Sequence, residues 1–189
     1  MVLQREKPIV VWGWADSGEK VTVEFRGATA STEAQDGKWR VTLPEQKAGG
    51  PYELVVRGNN EVTISDILVG EVWICSGQSN MEWPVTRTFE PEKAVENSEN
   101  PKIRLFTVPK MKANEPQQDV EAAWKLCGPE TVPGFSAVAY YFGRDLQEAL
   151  DVPVGLIHTS WGGSPAEVWV REEILAENAR YKEDILGGF

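Results

Sequence analysis

The sequence predicts a mixed fold: a small antiparallel β-sandwich over residues 1–67, then part of an α/β parallel-sheet domain over residues 68–189. Three observations carry this reading. Short runs of alternating apolar and polar residues, separated by tight-turn residues, fill the first third of the chain. Beyond Asp66, nearly continuous apolar runs alternate with segments of helical period, as in a parallel sheet covered by helices. Two glycine-containing knots, "SGQSN" and "WGGSP", each follow an apolar run directly.

In the first unit, "PIVVWGWA" precedes the turn "DSGE", and "KVTVEF" follows with Val21, Val23 and Phe25 on one face. "ATASTEAQ" and "KWRVTLP" flank Asp36-Gly37, the strongest short-range hairpin signal. "YELVVRG" and "EVTISDI" flank a second tight turn at Asn59-Asn60. A sandwich of about 65 residues stands near the lower size for an independent domain. Trp12, Trp14 and Trp39 are assigned to packing within it.

In the second unit, "ILVGEVWICSG" reads as a parallel strand buried on both faces, and "KIRLFTVP" and "VPVGLIHTSWGG" as two more strands. "PGFSAVAYYFGRDLQEAL" has helical period, with Phe135, Val138, Ala139, Phe142, Leu146 and Leu150 on one stripe. "VREEILAENARYKEDIL" reads as a further helix, and residues 109–121 as a surface crossing.

Composition narrows the function classes. The 189 residues carry 19 Lys plus Arg against 29 Asp plus Glu, a net charge of −10. An acidic chain without a basic cluster is a poor partner for nucleic acid or for anionic membrane surfaces. No apolar run approaches the length of a membrane span, and "MVLQREKPIV" lacks a signal-peptide core. Cys75 and Cys127 match no metal-site spacing. They read as two small buried hydrophobes, with a Cys75–Cys127 bridge left open.

The chemistry points to the two knots. Ligands of α/β sheets sit beyond the carboxyl ends of the strands, where both knots fall. A serine hydroxyl is a weak nucleophile until a base takes its proton and donors hold the oxyanion. Ser79 stands at one strand end between Gly77 and Asn80. Gly162 and Gly163 stand at another, where the absence of a Cβ lets a substrate approach the backbone. Taken singly, Ser79 reads as a turn serine and the glycine pair as a bend. Their joint position at strand ends of one sheet shifts the balance. The single histidine, His158, lies inside an apolar strand, where packed or hydrogen-bonded histidines outnumber catalytic bases. Without it, no Ser-His-Asp set is complete. Trp83 and Trp161 flank the knots, and stacking on a sugar and ordinary packing are equally open for them.

Four blocks, "MVLQR", "GEVWICSGQSNMEW", "FSAVAYYFGRDL" and "VPVGLIHTSWGGSPAEVW", together resemble the sialate O-acetylesterase family of SGNH-type carbohydrate esterases. The resemblance runs in order through nearly the whole chain. It implies an SGNH hydrolase-like, flavodoxin-like sheet and removal of acetyl groups from sugar hydroxyls through a serine acyl-enzyme, without metal or organic cofactor. Ser79 falls on the family's nucleophile, with its own N–H as one oxyanion donor. The second glycine knot matches the oxyanion glycine block, with Gly163 favoured and Gly162 shaping the bend; Gln78, Asn80, Trp83 and Trp161, beside the two knots, are the candidate substrate-binding residues. The implied partners are O-acetylated sialic acid or another acetylated glycan such as xylan. The implied location is secreted, periplasmic or lysosomal.

Such enzymes also carry an oxyanion asparagine and an aspartate–histidine pair nearer the C-terminus, and nothing after Gly163 matches either. The family also begins before "MVLQR", with a signal peptide and a first strand. The expectation is therefore a piece of a longer esterase, inactive alone, with the absent C-terminal part of the same protein as a partner. The competing reading is a carbohydrate-binding or interaction protein that keeps the shell and a vestigial serine. A third places function in the sandwich, as a module that docks the catalytic part or its substrate.

Overall fold

The computed structural model describes residues 1–113 and 115–188. Asn114, within the expected surface crossing, and Phe189, at the end of the chain, lie outside the described residues. The chain opens with seven strands: β1 (Val2–Gln4), β2 (Ile9–Trp14), β3 (Lys20–Phe25), β4 (Ala28–Glu33), β5 (Lys38–Leu43), β6 (Gly49–Arg57) and β7 (Glu61–Gly77). There follow α1 (Ser79–Glu82), α2 (Pro91–Glu96), β8 (Asn100–Thr107), β9 (Lys125–Cys127), α3 (Ala137–Leu150) and β10 (Val154–Ser160). The last α-helices are α4 (Glu172–Ala176) and α5 (Ala179–Asp184). No helix among the described residues is long and apolar enough to cross a membrane.

The expected mixed fold is present. Strands β4, β3, β6 and the first half of β7 form an antiparallel sheet, and β2 pairs with β5 in a separate ribbon. Between them lies a core of Ile9, Val23, Phe25, Val41, Leu43, Leu54, Ile67 and Val69. Alternation puts Val21, Val23 and Phe25 inside, as the sequence predicts. The Asp36-Gly37 turn also forms, with Gln35 and Lys38 exchanging backbone hydrogen bonds of 2.9 and 3.0 Å. It does not build the expected hairpin. The turn carries the chain from one sheet to the other, so β4 pairs with β3 and β5 with β2. The assignment of Trp12 and Trp14 to packing is overturned as well: they are 52% and 55% exposed. With period two, Ile9 and Val11 turn inward and Val10, Trp12 and Trp14 outward. Trp39 does pack, half-buried, against the core.

β7 links the two sheets. Residues 61–69 pair antiparallel with β6, and residues 71–77 pair parallel with β10. Between the halves the register slips beside Asp66, whose φ is +55°, and the strand bends. Arg104 on β8 holds the Asp66 carboxylate at this bend with bonds of 2.9 and 3.0 Å.

The second sheet runs β7–β10–β8–β9, with β9 antiparallel. Helix α3 covers one face, over Cys75, Ile103, Leu105, Val154 and Leu156. Ser136 caps its start by accepting from the Ala139 N–H. Its buried residues are Ala137, Ala139, Tyr140, Gly143 and Gln147. Of the expected stripe, Val138, Phe142 and Leu150 are exposed. Gly143 explains the rotation: a Cβ there would stand 2.5 Å from a methyl of Leu156, so the helix turns its smallest residue to the sheet. β7 is not buried on both faces. Ile74 is 70% exposed and Trp73 is exposed beside Phe142, on a stretch whose strand neighbour among the described residues is β10. The long terminal helix is two short ones, interrupted where the Asn178 side chain caps Arg180 and Tyr181.

Cys75 and Cys127 are free and buried. Burial pushes the Cys75 thiol up to about 11 and the Cys127 thiol up to about 12. A thiol whose folded value is raised stabilises fully below its unfolded value and progressively less as pH climbs toward the folded one. Urea unfolding of the chain is therefore expected to show stability lost from about pH 9, with Cys75→Ala removing part of the loss.

Candidate active site

The site is built where two adjacent parallel strands end together. Ser160, the last residue of β10, is level with Gly77, the last of β7. Gly77 has φ +149°, a region closed to most side chains, and this lets the chain turn from β7 into the single turn α1. Ser79 opens that turn and is exposed. Beyond β10, the Trp161 N–H donates to the Gly77 carbonyl at 2.9 Å, which locks the two strand ends together. Gly163 follows with φ +78°, and its N–H points at Ser79 Oγ, 3.2 Å away.

The two knots meet. The contacts around them are made by side chains of the serine turn. The Gln78 amide donates to the Ser164 carbonyl, and the Glu82 carboxylate accepts from the Gly162 N–H. Lys110 Nζ stands 2.5 Å from Glu82 Oε1 and 5.8 Å from the centre of the Trp161 ring. Lys110 first, and then the Gly162 N–H, hold the Glu82 carboxyl below the usual carboxylate range. Gly162 thus has its N–H committed to Glu82, leaving Gly163 as the glycine of the pair that faces Ser79.

The other singled-out residues take varied places. Asn80 is exposed next to Ser79. Trp83 is half exposed, and its indole N–H donates to the Arg87 carbonyl at 2.9 Å. Trp161 is half-buried under Lys110. His158 is buried on β10, with Nε2 2.5 Å from Ser160 Oγ and its ring edge-on to Phe135. Burial pushes its imidazole below the ordinary histidine range, against a smaller upward pull from Glu82. Ser79 Oγ has no hydrogen bond to it among the described residues. Sequence reasoning missed Glu82 and Lys110. Glu82 lies three residues after Ser79, within reach of the same side of one helical turn. Lys110 is 28 positions further along and leaves no local signal.

A serine turn and a glycine N–H meeting at parallel-strand ends, on a sheet joined to a small antiparallel one, match an SGNH-like α/β fold. The comparisons make this specific. The profile of the family described as "Carbohydrate esterase, sialic acid-specific acetylesterase" matches residues 69–185. The chain belongs to this carbohydrate esterase family. The sialate O-acetylesterase of Rattus norvegicus is 35% identical over 197 residues, covering 93% of this chain, and that of Homo sapiens is 35% identical over 191 residues, covering 89%. The chain spans 36% of the length of each. The crystal structure of a carbohydrate acetylesterase from Xanthomonas citri superposes with a TM-score of 0.90 at 39% identity, covering 94% of this chain and 42% of that one.

Proposed function

We propose that this chain carries the nucleophile and part of the oxyanion hole of a serine esterase that removes O-acetyl groups from sialic acid or a related glycan. The observation that carries the reading is the Gly163 N–H, 3.2 Å from Ser79 Oγ at the ends of adjacent strands. Ser79 Oγ attacks the acetyl carbonyl and gives its proton to a base. The carbonyl oxygen becomes an oxyanion between the Gly163 and Ser79 N–H groups, the latter free of an intrahelical partner at the start of α1. Collapse breaks the bond to the sugar oxygen, which takes the proton. Water then releases acetate and restores the hydroxyl.

The nucleophile and the oxyanion donors belong to the second unit, residues 68–189, the N-terminal part of the esterase domain, and the sandwich of residues 1–67 is joined to it through β7. The base is assigned, on the family resemblance, to a histidine held by an aspartate outside residues 1–189. His158 is engaged with Ser160. On the family resemblance, the location assigned to the parent protein is secreted, periplasmic or lysosomal.

Acetate release from O-acetylated sialic acid, by the full-length gene product and by residues 1–189 alone, tests this. The full-length product is expected to release acetate and the isolated chain none above the blank. Turnover by the isolated chain that Ser79→Ala abolishes would contradict the assignment of the base and promote His158. Glycan binding by the full-length product without acetate release would favour a binding protein with a vestigial serine.

A further inference from the structure

We infer that Glu82 is the positioning residue of the oxyanion loop, residues 161–164, and that Lys110 supplies the counter-charge that lets a carboxylate do this beside a developing oxyanion. The inference rests on the serine-esterase reading above.

An oxyanion donor is useful only if it is already aimed where charge will develop. Gly163 is exposed, and among the described residues no atom beyond its chain neighbours lies within 4 Å of the place a Cβ would take. Packing therefore does not hold it. Its position is set by its neighbours on both sides, and each is tied to the segment that carries Ser79. On one side the Gly162 N–H is held by the Glu82 carboxylate, and on the other the Ser164 carbonyl accepts from Gln78. A Cβ at Gly162 would come within 2.8 Å of Glu82 Oε2, so the carboxylate occupies the space a side chain would need. The single turn α1 thus presents Ser79 to the substrate and Glu82 to the loop. Movement of one carries the other with it.

The arrangement has an electrostatic cost. A bare carboxylate this close to the oxyanion would oppose its charge, and exclusion of water by substrate would strengthen the opposition. Lys110 offsets it at 2.5 Å. With Lys110 in place Glu82 is ionised at neutral pH and accepts strongly from the loop N–H. Among the described residues Glu82 makes no hydrogen bond to Ser79 Oγ, so its effect on rate comes through Gly163.

Steady-state kinetics of the full-length gene product on 4-nitrophenyl acetate, with amide exchange at Gly162 and Gly163, test the inference. Glu82→Ala is expected to lower kcat roughly 10²-fold, the size of losing one aimed donor, with KM little changed and faster exchange at both glycines. Glu82→Gln keeps an acceptor oxygen and is expected to restore most of kcat and the slow exchange. Lys110→Met alone is expected to lower kcat, and Glu82→Gln added to it to recover part of the loss. Undiminished kcat in Glu82→Ala, in an enzyme that Ser79→Ala abolishes, would overturn this inference alone. Undiminished kcat in Ser79→Ala would overturn the serine reading and this inference with it.

Discussion

Replacing Ser79 by alanine is expected to lower acetyl-ester hydrolysis by the full-length gene product at least ~10⁴-fold while leaving the fold unchanged. The size follows from the role. Without Oγ no acyl-enzyme forms, and only substrate binding and the oxyanion donors remain to assist attack by water. The small structural effect follows from the surroundings. Ser79 is exposed, and among the described residues its Oγ accepts one hydrogen bond, from the Gly163 N–H at 3.2 Å. Removing it should change stability by no more than about 0.5 kcal/mol. Turnover and the urea midpoint, measured on the same preparation, check both halves. A large fall in both would mark Ser79 as a structural serine.

The largest effect on stability is expected at Gly70, where the two sheets join along β7. A Cβ there would lie 1.9 Å from the Pro153 carbonyl oxygen, 2.6 Å from its carbon and 2.9 Å from its Cβ. These are mostly backbone atoms, which no rotamer change can move. The Pro153 oxygen also accepts from the Glu71 N–H at 2.8 Å, and the Gly70 oxygen from the Arg5 N–H at 2.8 Å. Relieving the clash means shifting β10 away from β7 and breaking the first bonds of the parallel ladder. Gly70→Ala is expected to cost about 3 kcal/mol or more. Gly128→Ala, at a site with no atom within 4 Å of the new Cβ, should stay within about 0.5 kcal/mol. Urea unfolding of the two variants distinguishes them. Equal stability would show that the sheets tolerate separation at this seam.

What was legible in the sequence was local. Alternation placed Val21, Val23 and Phe25 in the sandwich core, and the apolar runs located β7, β8 and β10. The same runs also place both glycine knots at strand ends of one sheet; Gly163 is preferred over Gly162 on the family resemblance alone. What failed depended on distant partners. The Asp36-Gly37 turn formed as its residues dictate, yet which strands pair across it is decided by packing between sheets. An apolar run does not record whether a second layer covers it, so Ile74 looked buried and is exposed. The buried face of α3 departs from its apolar stripe because Gly143, where a Cβ would meet Leu156, carries no hydrophobicity to count. The Glu82–Gly162 contact joins residues 80 positions apart and has no periodic signature.

Covalent labelling tests whether Ser79 is the nucleophile. The full-length gene product would be treated with a fluorophosphonate, and the modified residue mapped by peptide mass spectrometry. One adduct is expected, on Ser79, with acetyl-ester hydrolysis lost in step and no adduct in Ser79→Ala. An adduct on another residue, or hydrolysis that persists in Ser79→Ala, would contradict it.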